Sequence, residues 1–309
     1  MTVSNSVFSE EMLQQFIEKQ LQHNSRKNVF YSGEENKLAF LNETCDLIEK
    51  LKKNPIFGKE KIIDFTVDKA LTEFYKINQY YRFNEFAKDK LKQIYRQLFT
   101  EILHPDEQKT IAIVAENHYT RLQEWLAQSN PFASKIYPEN LSVIEEVVCA
   151  EYSAELQMEI LGLDISTLQG PVLDIGCGTK THLVKVLAAS GFEVYGIDRN
   201  ISSVDNLEKA DWLDYHFIPN HWGTIVSNLG FSNHFRHHHL RNDGDFIIYA
   251  QKYMEILQSL KPGGAFYYAP DLPFIEGYLD SDKYEVTKND IPLSNYQSVR
   301  IKKKNSANF

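Results

Sequence analysis

One short stretch constrains the fold of this chain more than any other: Val172-Leu173-Asp174-Ile175-Gly176-Cys177-Gly178-Thr179-Lys180, followed by the run Leu183-Val184-Lys185-Val186-Leu187-Ala188-Ala189. An apolar run that stops at a glycine reads as a buried strand, and the run after it has the composition of a helix. Gly176 and Gly178 let the chain turn tightly between the two and let a ligand approach the backbone without meeting a Cβ. The helix then points its unpaired N–H groups into the same space. Further strands are expected at Glu193-Val194-Tyr195-Gly196-Ile197 and at Thr224-Ile225-Val226-Ser227. Another, Ala265-Phe266-Tyr267-Tyr268, follows a turn at Pro262-Gly263-Gly264. Strands alternating with helices predict a parallel sheet covered on both faces.

Residues 1 to about 165 have a different grammar, helix after helix. Leu38, Leu41, Cys45, Ile48 and Leu51 recur at spacings of three and four, one stripe of a helix. Leu91, Ile94, Leu98 and Ile102 repeat the pattern until Pro105, whose ring stops the ladder. A helix after Pro105 carries Ile111, Val114, Leu122 and Trp125 or Leu126 inward, Asn130-Pro131 breaks the chain, and a last helix is expected from about Ser142 to Leu161. The aromatic-rich segment Phe74 to Phe86 has two readings, the wall of an apolar pocket or the core of a helical bundle. The division expected is a helical region over 1–140, a lid, substrate or dimerisation element, and an α/β domain over 141–309.

A length of 309 residues suffices for two buried cores, and 43% hydrophobic with 24% charged residues excludes a disordered chain. At a net charge of -9, a nucleic-acid partner would need a local basic face, and the run Arg300, Lys302, Lys303, Lys304 reads as a solvated strand end. Cys45, Cys149 and Cys177 lie far apart and form no CxxC pair, which suits a reducing compartment. The start MTVSNSVFSEE lacks the charge and apolar core of a signal peptide, and no stretch reaches the roughly 20 apolar residues of a membrane span. A cytoplasmic protein without nucleic-acid or membrane partners is expected.

The chemistry of the ligand follows from the acids. Asp198 ends the second strand 22 residues after Gly176, where a carboxylate can accept hydrogen bonds from both hydroxyls of a ribose. Asp174, before the first glycine, would repel a pyrophosphate but suits an amino group, and Thr181 stands where a GxGxxG turn has its third glycine. At this point the sequence resembles the class I S-adenosylmethionine (SAM)-dependent methyltransferase family. VLDIGCGT resembles its first motif and YGIDRN its second-strand acid; Ala210-Asp211-Trp212-Leu213 resembles its adenine-contacting segment, and Leu260-Lys261-Pro262-Gly263-Gly264 the turn before its fifth strand. The four landmarks cover roughly residues 145 to 303.

The resemblance implies a Rossmann-like, seven-stranded, mostly parallel sheet after the helical region, closing on an antiparallel hairpin of Tyr284 to Thr287 and Tyr296 to Ile301 joined near Pro292. It implies SAM as cofactor and S-adenosylhomocysteine as product, held by Asp174, Gly176, Cys177, Gly178, Asp198, Arg199, Asp211, Trp212 and Asn228. Lys180 stands where the family commonly has glycine, and points to solvent or reaches the methionyl carboxylate. Glu151, Tyr152 and Glu155 are expected on the helix that often covers the cofactor. The activity implied is direct methyl transfer to N, O, S or C of a small-molecule acceptor. Aminocarboxypropyl transfer and a catalytically silent SAM-binding module share the same cofactor landmarks. After the fourth strand no Asn/Asp-Pro-Pro-aromatic tetrad of a nucleic-acid methyltransferase appears; four histidines fall between Asn228 and His239 instead. His234, His237 and His238 share one helical face, and three roles stand open for them: general base, with His234 first and His237 second, zinc ligand, or polar loop. Tyr268 and Asp271 are expected to face the acceptor from the opposite wall.

Overall fold

The computed structural model describes residues 9–53, 59–104, 110–148, 151–292 and 294–305. Cys149, Pro105 and the first eight residues lie outside them. The chain divides into two compact units, Met1–Val148 and Cys149–Phe309.

The first unit is built on α1 (Glu10–Asn24), α2 (Asn42–Leu51), α3 (Lys59–Ile77), α4 (Glu85–Leu103), α5 (Ile111–Ser129) and the single turn α6 (Ala133–Ile136). Side-chain oxygens of Ser9, Asn84 and Thr110 accept from the first turns of α1, α4 and α5, meeting the donors a helix start leaves unpaired. Leu91, Leu98 and Ile102 of α4 are buried, as their spacing predicts. The stripe proposed over 38–51 is shorter than expected. Leu38 and Leu41 precede α2, and the buried positions are Leu47, Ile48 and Leu51.

Most of the aromatic segment is core. Tyr75, Tyr81 and Phe83 are buried, and Phe83 stacks on Trp125 at 4.7 Å, whereas Phe86 is exposed. The helix expected from Ser142 does not form. Ile144 N–H donates to Arg26 O, and Val147 exchanges backbone hydrogen bonds with Ile77 and Gln79. Val143, Ile144, Val147 and Val148 are β-branched and pay a rotamer penalty in a helix, so the extended course wins and this segment closes the first unit. The buried Asn28 amide fastens the adjoining loop by donating to the carbonyls of Pro138 and Leu141 at 3.0 and 2.8 Å.

In the second unit the order is α7 (Ala154–Leu161), a 3-10 turn (Ile165–Thr167), β1 (Val172–Ile175), α8 (His182–Ala189), β2 (Val194–Asp198), β3 (Leu207–Lys209), β4 (Trp222–Asn228), α9 (Phe231–His239), α10 (Phe246–Ser259), β5 (Leu260–Ala269), α11 (Pro273–Glu276), β6 (Tyr284–Asp290) and β7 (Gln297–Lys303). The seven strands form one sheet in the order β3-β2-β1-β4-β5-β7-β6. The first five are parallel, and β7 runs antiparallel to both β5 and β6. This is the Rossmann-like sheet and terminal hairpin that the sequence implied. β1 is buried along its whole length, as a central parallel strand must be. β5 begins five residues earlier than expected: it runs through Pro262-Gly263-Gly264, and a register shift against β4 between Trp222 and Thr224 absorbs the irregularity. Lys303, from the basic run, donates to Asn220 Oδ1 and to the carbonyls of Gln258 and Leu260, a structural use of that charge. Among the described residues no helix is long and apolar enough to cross a membrane.

Under the end of β5 lies a buried polar chain. Tyr268 hydroxyl donates to Glu276 Oε1 at 2.7 Å and shares a 3.0 Å hydrogen bond with Tyr253, and Leu272 N–H donates to the same carboxylate oxygen. Lys288 of β6 pairs with both Glu276 and Asp271. Removing one member strands the others. Tyr268→Phe is expected to lower stability by about 1–2 kcal/mol, and Glu276→Ala by about 3–5 kcal/mol because it leaves Lys288 half-paired and the Leu272 N–H without its acceptor. Urea unfolding with an unchanged m-value checks both.

Candidate functional site

The glycine turn is fastened to the neighbouring strand before any ligand arrives. Gly176 N–H and Cys177 N–H both donate to Ile197 O, at 2.8 and 3.2 Å. Gly176 and Gly178 have φ of +79° and +69°, a conformation that strains any residue with a side chain. Asp198, at the end of β2, accepts from Gly178 N–H at 3.1 Å and from Asn200 N–H at 2.8 Å, so its carboxylate is oriented by the turn itself. Burial raises the Asp198 carboxyl, opposed by those two N–H groups and by Arg199. Cys177 turns inward to the sheet: a Cβ on Gly196 would lie 2.9 Å from its Sγ. Burial pushes its thiol up, with Asp174 and Asp198 adding to the effect. Of Cys177, only the backbone faces the turn.

Asp174 is 2% exposed, and its Oδ2 has no hydrogen-bond partner among the described residues. Burial, with the nearby Asp198 adding to it, pushes its carboxyl up to about 7. On the adjacent strand, Asn228 Oδ1 is buried and equally unpartnered. Asp174 pairs with Val226, so Asn228 lies two residues further along β4, at the level of the glycine turn. Two neighbouring strands thus bring unsatisfied acceptors to the carboxyl edge of the sheet. Buried acceptors are rarely left so unless something else supplies the donor.

Trp212 walls this edge. A Cβ on Gly176 would stand 3.2 Å from its Cζ3, and one on Gly230 3.8 Å from the same atom. Its ring meets Phe231 and His234 edge-on at 6.2 and 4.8 Å. Asp211 holds the approach to that ring by accepting from Leu213 N–H at 2.9 Å. Glu151 lies over the other side of the turn, where its Oε1 accepts from Thr179 N–H at 2.8 Å and from the Thr179 hydroxyl at 2.5 Å. Burial works to raise its carboxyl, but the Thr179 hydroxyl and N–H, with Lys180, bring it below its ordinary value. Sequence periodicity placed Glu151 and Tyr152 on a helix. They precede α7, which Ser153 caps by accepting from Leu156 N–H, a signal legible in the sequence. Lys180 is exposed, in agreement with the outward reading.

The backbone around the turn is strained in a pattern. Thr181 (φ 52°), before α8, and Leu229 (φ 53°), after β4, both take the left-handed conformation, which side chains disfavour. Ser227 explains how the second is held: its hydroxyl donates to Ile175 O at 2.9 Å and accepts from Phe231 N–H at 3.1 Å. Such strain collects at functional sites, where the surrounding structure over-determines it.

The histidines form part of α9, and each has a structural engagement. His234 is buried with its ring against Trp212; His237 makes a 3.0 Å contact with Arg241; His238 accepts from Asp245 N–H at 3.0 Å and stacks on Tyr249; His239 stacks on Phe274 at 3.7 Å. The shared face of His234, His237 and His238 is as the spacing predicts. A titration near neutrality is not. Burial, with Arg199 and the other histidines, holds His234 well below the usual imidazole range. Burial and Arg241 bring His237 down to about 4. Among the described residues no group of three or more His, Cys, Asp or Glu is arranged to hold a metal ion. Tyr268 and Asp271 are a second correction: Tyr268 is fully buried in the polar chain under β5, and Asp271 pairs with Lys288. Tyr268 therefore lines no open wall.

No protein-family model matches the sequence, and no curated protein matches it. Solved structures match part of the chain at low identity. The N-methyltransferase NodS from Bradyrhizobium japonicum is 16% identical over 48% of this chain and 95% of its own, with a TM-score of 0.34. A TehB-like SAM-dependent methyltransferase from Corynebacterium glutamicum is 14% identical over 61% of this chain and 97% of its own, also at 0.34. A Burkholderia thailandensis 1,6-didemethyltoxoflavin-N1-methyltransferase, solved with S-adenosylhomocysteine, is 12% identical over 43% of this chain and 71% of its own, at 0.30. The fold of the second unit is fixed by its own strand order and register: a Rossmann-like, mostly parallel seven-stranded sheet closed by an antiparallel hairpin.

The unpartnered Asp174 has a measurable consequence for the ligand-free protein. A carboxyl raised from about 4 to about 7 binds its proton in the folded state over a range where the unfolded chain has lost it, so its contribution to stability falls as pH rises through that window. Asp174→Asn removes this dependence. The variant is expected to melt higher than the parent at pH 8, by an amount equivalent to a few kcal/mol, and the difference should shrink toward zero near pH 4. Paired thermal melts across that range check it.

Proposed function

We propose that the second unit binds SAM at the carboxyl edge of its sheet and transfers the methyl group to a small-molecule acceptor. The observation that carries the cofactor is the pair of buried, unpartnered oxygens, Asp174 Oδ2 and Asn228 Oδ1, beside a glycine turn flanked by the carboxylates of Asp174, Asp198 and Glu151. An edge of that charge repels a diphosphate and suits a cation carrying donors. A cofactor with an ammonium and a sulfonium, and with no phosphate, meets both requirements.

The residues fit the group in detail. Asp174 would accept from the ammonium, directly or through a water, and Asp198 from the ribose hydroxyls with the lone pairs that Gly178 and Asn200 leave. Trp212 offers an apolar face to the adenine, and Asp211 has a second carboxylate oxygen for its amino group. Gly176 and Gly178 permit approach to the turn, and Arg199, next to Asp198, moderates the field. Cys177 contributes through its backbone alone. Bound there, SAM supplies a methyl group already electrophilic through its sulfonium charge. What the chain must then do is hold an acceptor in line and exclude water.

The α9 histidines serve this reading as a wall. His234 supports Trp212 by an edge-on contact, and with their protons lost well below neutrality neither His234 nor His237 titrates in the working range. An acceptor that loses its proton to solvent, or carries none, suits such a site.

Calorimetry with SAM and S-adenosylhomocysteine tests the proposal, and mass analysis of products from an acceptor panel separates methyl from aminocarboxypropyl transfer. Asp198→Ala is expected to weaken binding by about 1.5–3 kcal/mol while the protein stays folded. Unchanged affinity in that variant would overturn the assignment. Because a cation favours the ionised carboxylate, binding should draw the Asp174 pKa down from about 7. Affinity should therefore be full above that pH and fall as pH is lowered through it, by up to tenfold per unit, with proton release on binding. Turnover at saturating SAM should not follow a histidine between pH 5 and 8. His234→Phe, which keeps a ring against Trp212, should retain turnover within a fewfold, whereas loss of a general base costs roughly 10²–10⁴-fold.

A further inference from the structure

The helical unit contains a cavity of about 160 Å³ walled almost wholly by apolar side chains from α1, α2, α3, α4 and α5, among them Ile62, Ala70, Leu98 and Leu122. Apolar cavities of roughly 150 Å³ stay dry and accept a molecule the size of benzene. Six of the polar and charged residues on this wall have identified partners. Thr66 hydroxyl donates to Ile62 O at 2.7 Å. Gln20 exchanges hydrogen bonds with Ala39 O and Leu41 N–H, and Asn24 with Ala39 and with the Tyr119 hydroxyl at 2.7 Å. The charged groups at its border are engaged elsewhere, Glu73 with Lys76 and Lys27 with Lys37 O.

His118 is the exception. It is 3% exposed, and its Nδ1 has no hydrogen-bond partner among the described residues. Its ring is enclosed by Tyr95 and Tyr119 at 5.2 Å and by Phe40 at 6.4 Å, and all three of these rings line the cavity with it. An orphaned buried nitrogen costs roughly 1–3 kcal/mol, and an apolar side chain of the same size would have avoided that cost. Burial, with Arg121, holds the imidazole down to about 3, so it is neutral and offers one donor and one acceptor. A second hollow of about 490 Å³ shares Phe40 and Tyr119 with the first, which makes those two rings a partition with space on both sides.

We propose that the helical unit binds a small, neutral, one-ring aromatic molecule bearing a hydroxyl, its ring in this cavity and its hydroxyl on His118. Size selects the single ring, and the absence of an uncommitted charge among the described lining residues rejects an ion. His118 selects the hydroxyl over a methyl group of the same shape.

The test is titration of the full chain with phenol, toluene and benzoate by ligand-observed NMR. Phenol should bind saturably at one site and about five- to tenfold more tightly than toluene, the worth of one net hydrogen bond, and benzoate should not bind. His118→Phe should reduce phenol to the level of toluene. Ala70→Leu, or Ile62→Phe if that variant does not fold, should abolish the binding of both. Absence of saturable binding, equal affinity for phenol and toluene in the parent, or a phenol preference that survives His118→Phe would each overturn the proposal. The titration is made without SAM, so its outcome is independent of the reading of the second unit.

Discussion

A buried carboxylate with an oxygen left over organises the second unit. Asp174 sits on a strand buried at every position, where an ionised group without a donor is among the costliest things a fold can contain. Among the described residues nothing pairs with its Oδ2. The protein keeps the charge soft, with a pKa near neutrality, and places the glycine turn directly after it. An acid so placed costs stability in the ligand-free fold, a cost that the cationic cofactor proposed above would offset. The hydrogen bonds from the turn to Ile197 and Asp198 then follow as preorganisation: the turn is pinned to β2 so that the acids need not move.

The same edge shows how side chains remote from the turn become part of it. Trp212 lies against Gly176 and Gly230, so an absent Cβ on two different loops makes room for one indole ring. His234 and Phe231 fix that ring from beneath, and Ser227 fixes the start of α9, on which both are carried. The left-handed Leu229 is the conformational cost of turning so sharply from β4 into that helix. The position of Trp212 is therefore a product of packing in the β4–α9 connection, and a change there reaches the glycine turn without touching it.

The fold of the second unit was largely legible because its determinants are local. The apolar runs at 172–175, 194–197 and 224–226, the glycine turn and the closing hairpin each declare themselves within a few residues. What was not legible depends on depth. Helical spacing shows that His234, His237 and His238 share a face; it does not say whether that face looks at solvent or at Trp212, and burial is what moves an imidazole away from neutrality. Tyr268 and Asp271 failed for a related reason. Their partners, Glu276 and Lys288, lie on later elements, so the network that engages them is invisible from the end of β5 alone. Asn228 was named from family position, whereas the physical ground for naming it, an unpartnered buried oxygen, exists only in three dimensions.

The helical unit makes the complementary point. Its periodicity found Leu91, Leu98 and Ile102 correctly, since an amphipathic stripe reports which residues face inward. Periodicity cannot report whether the inward faces meet. Among those stripes His118 is one polar residue at a core position, and in a bundle closed around it such a residue is simply an error of a few kcal/mol. Beside a cavity its meaning changes, because the missing partner and the missing volume coincide. Either defect alone would be unremarkable in a bundle of this size. Their adjacency, with no other buried polar atom among the described lining residues left without a partner, gives the unit a chemical preference that its stripes do not encode.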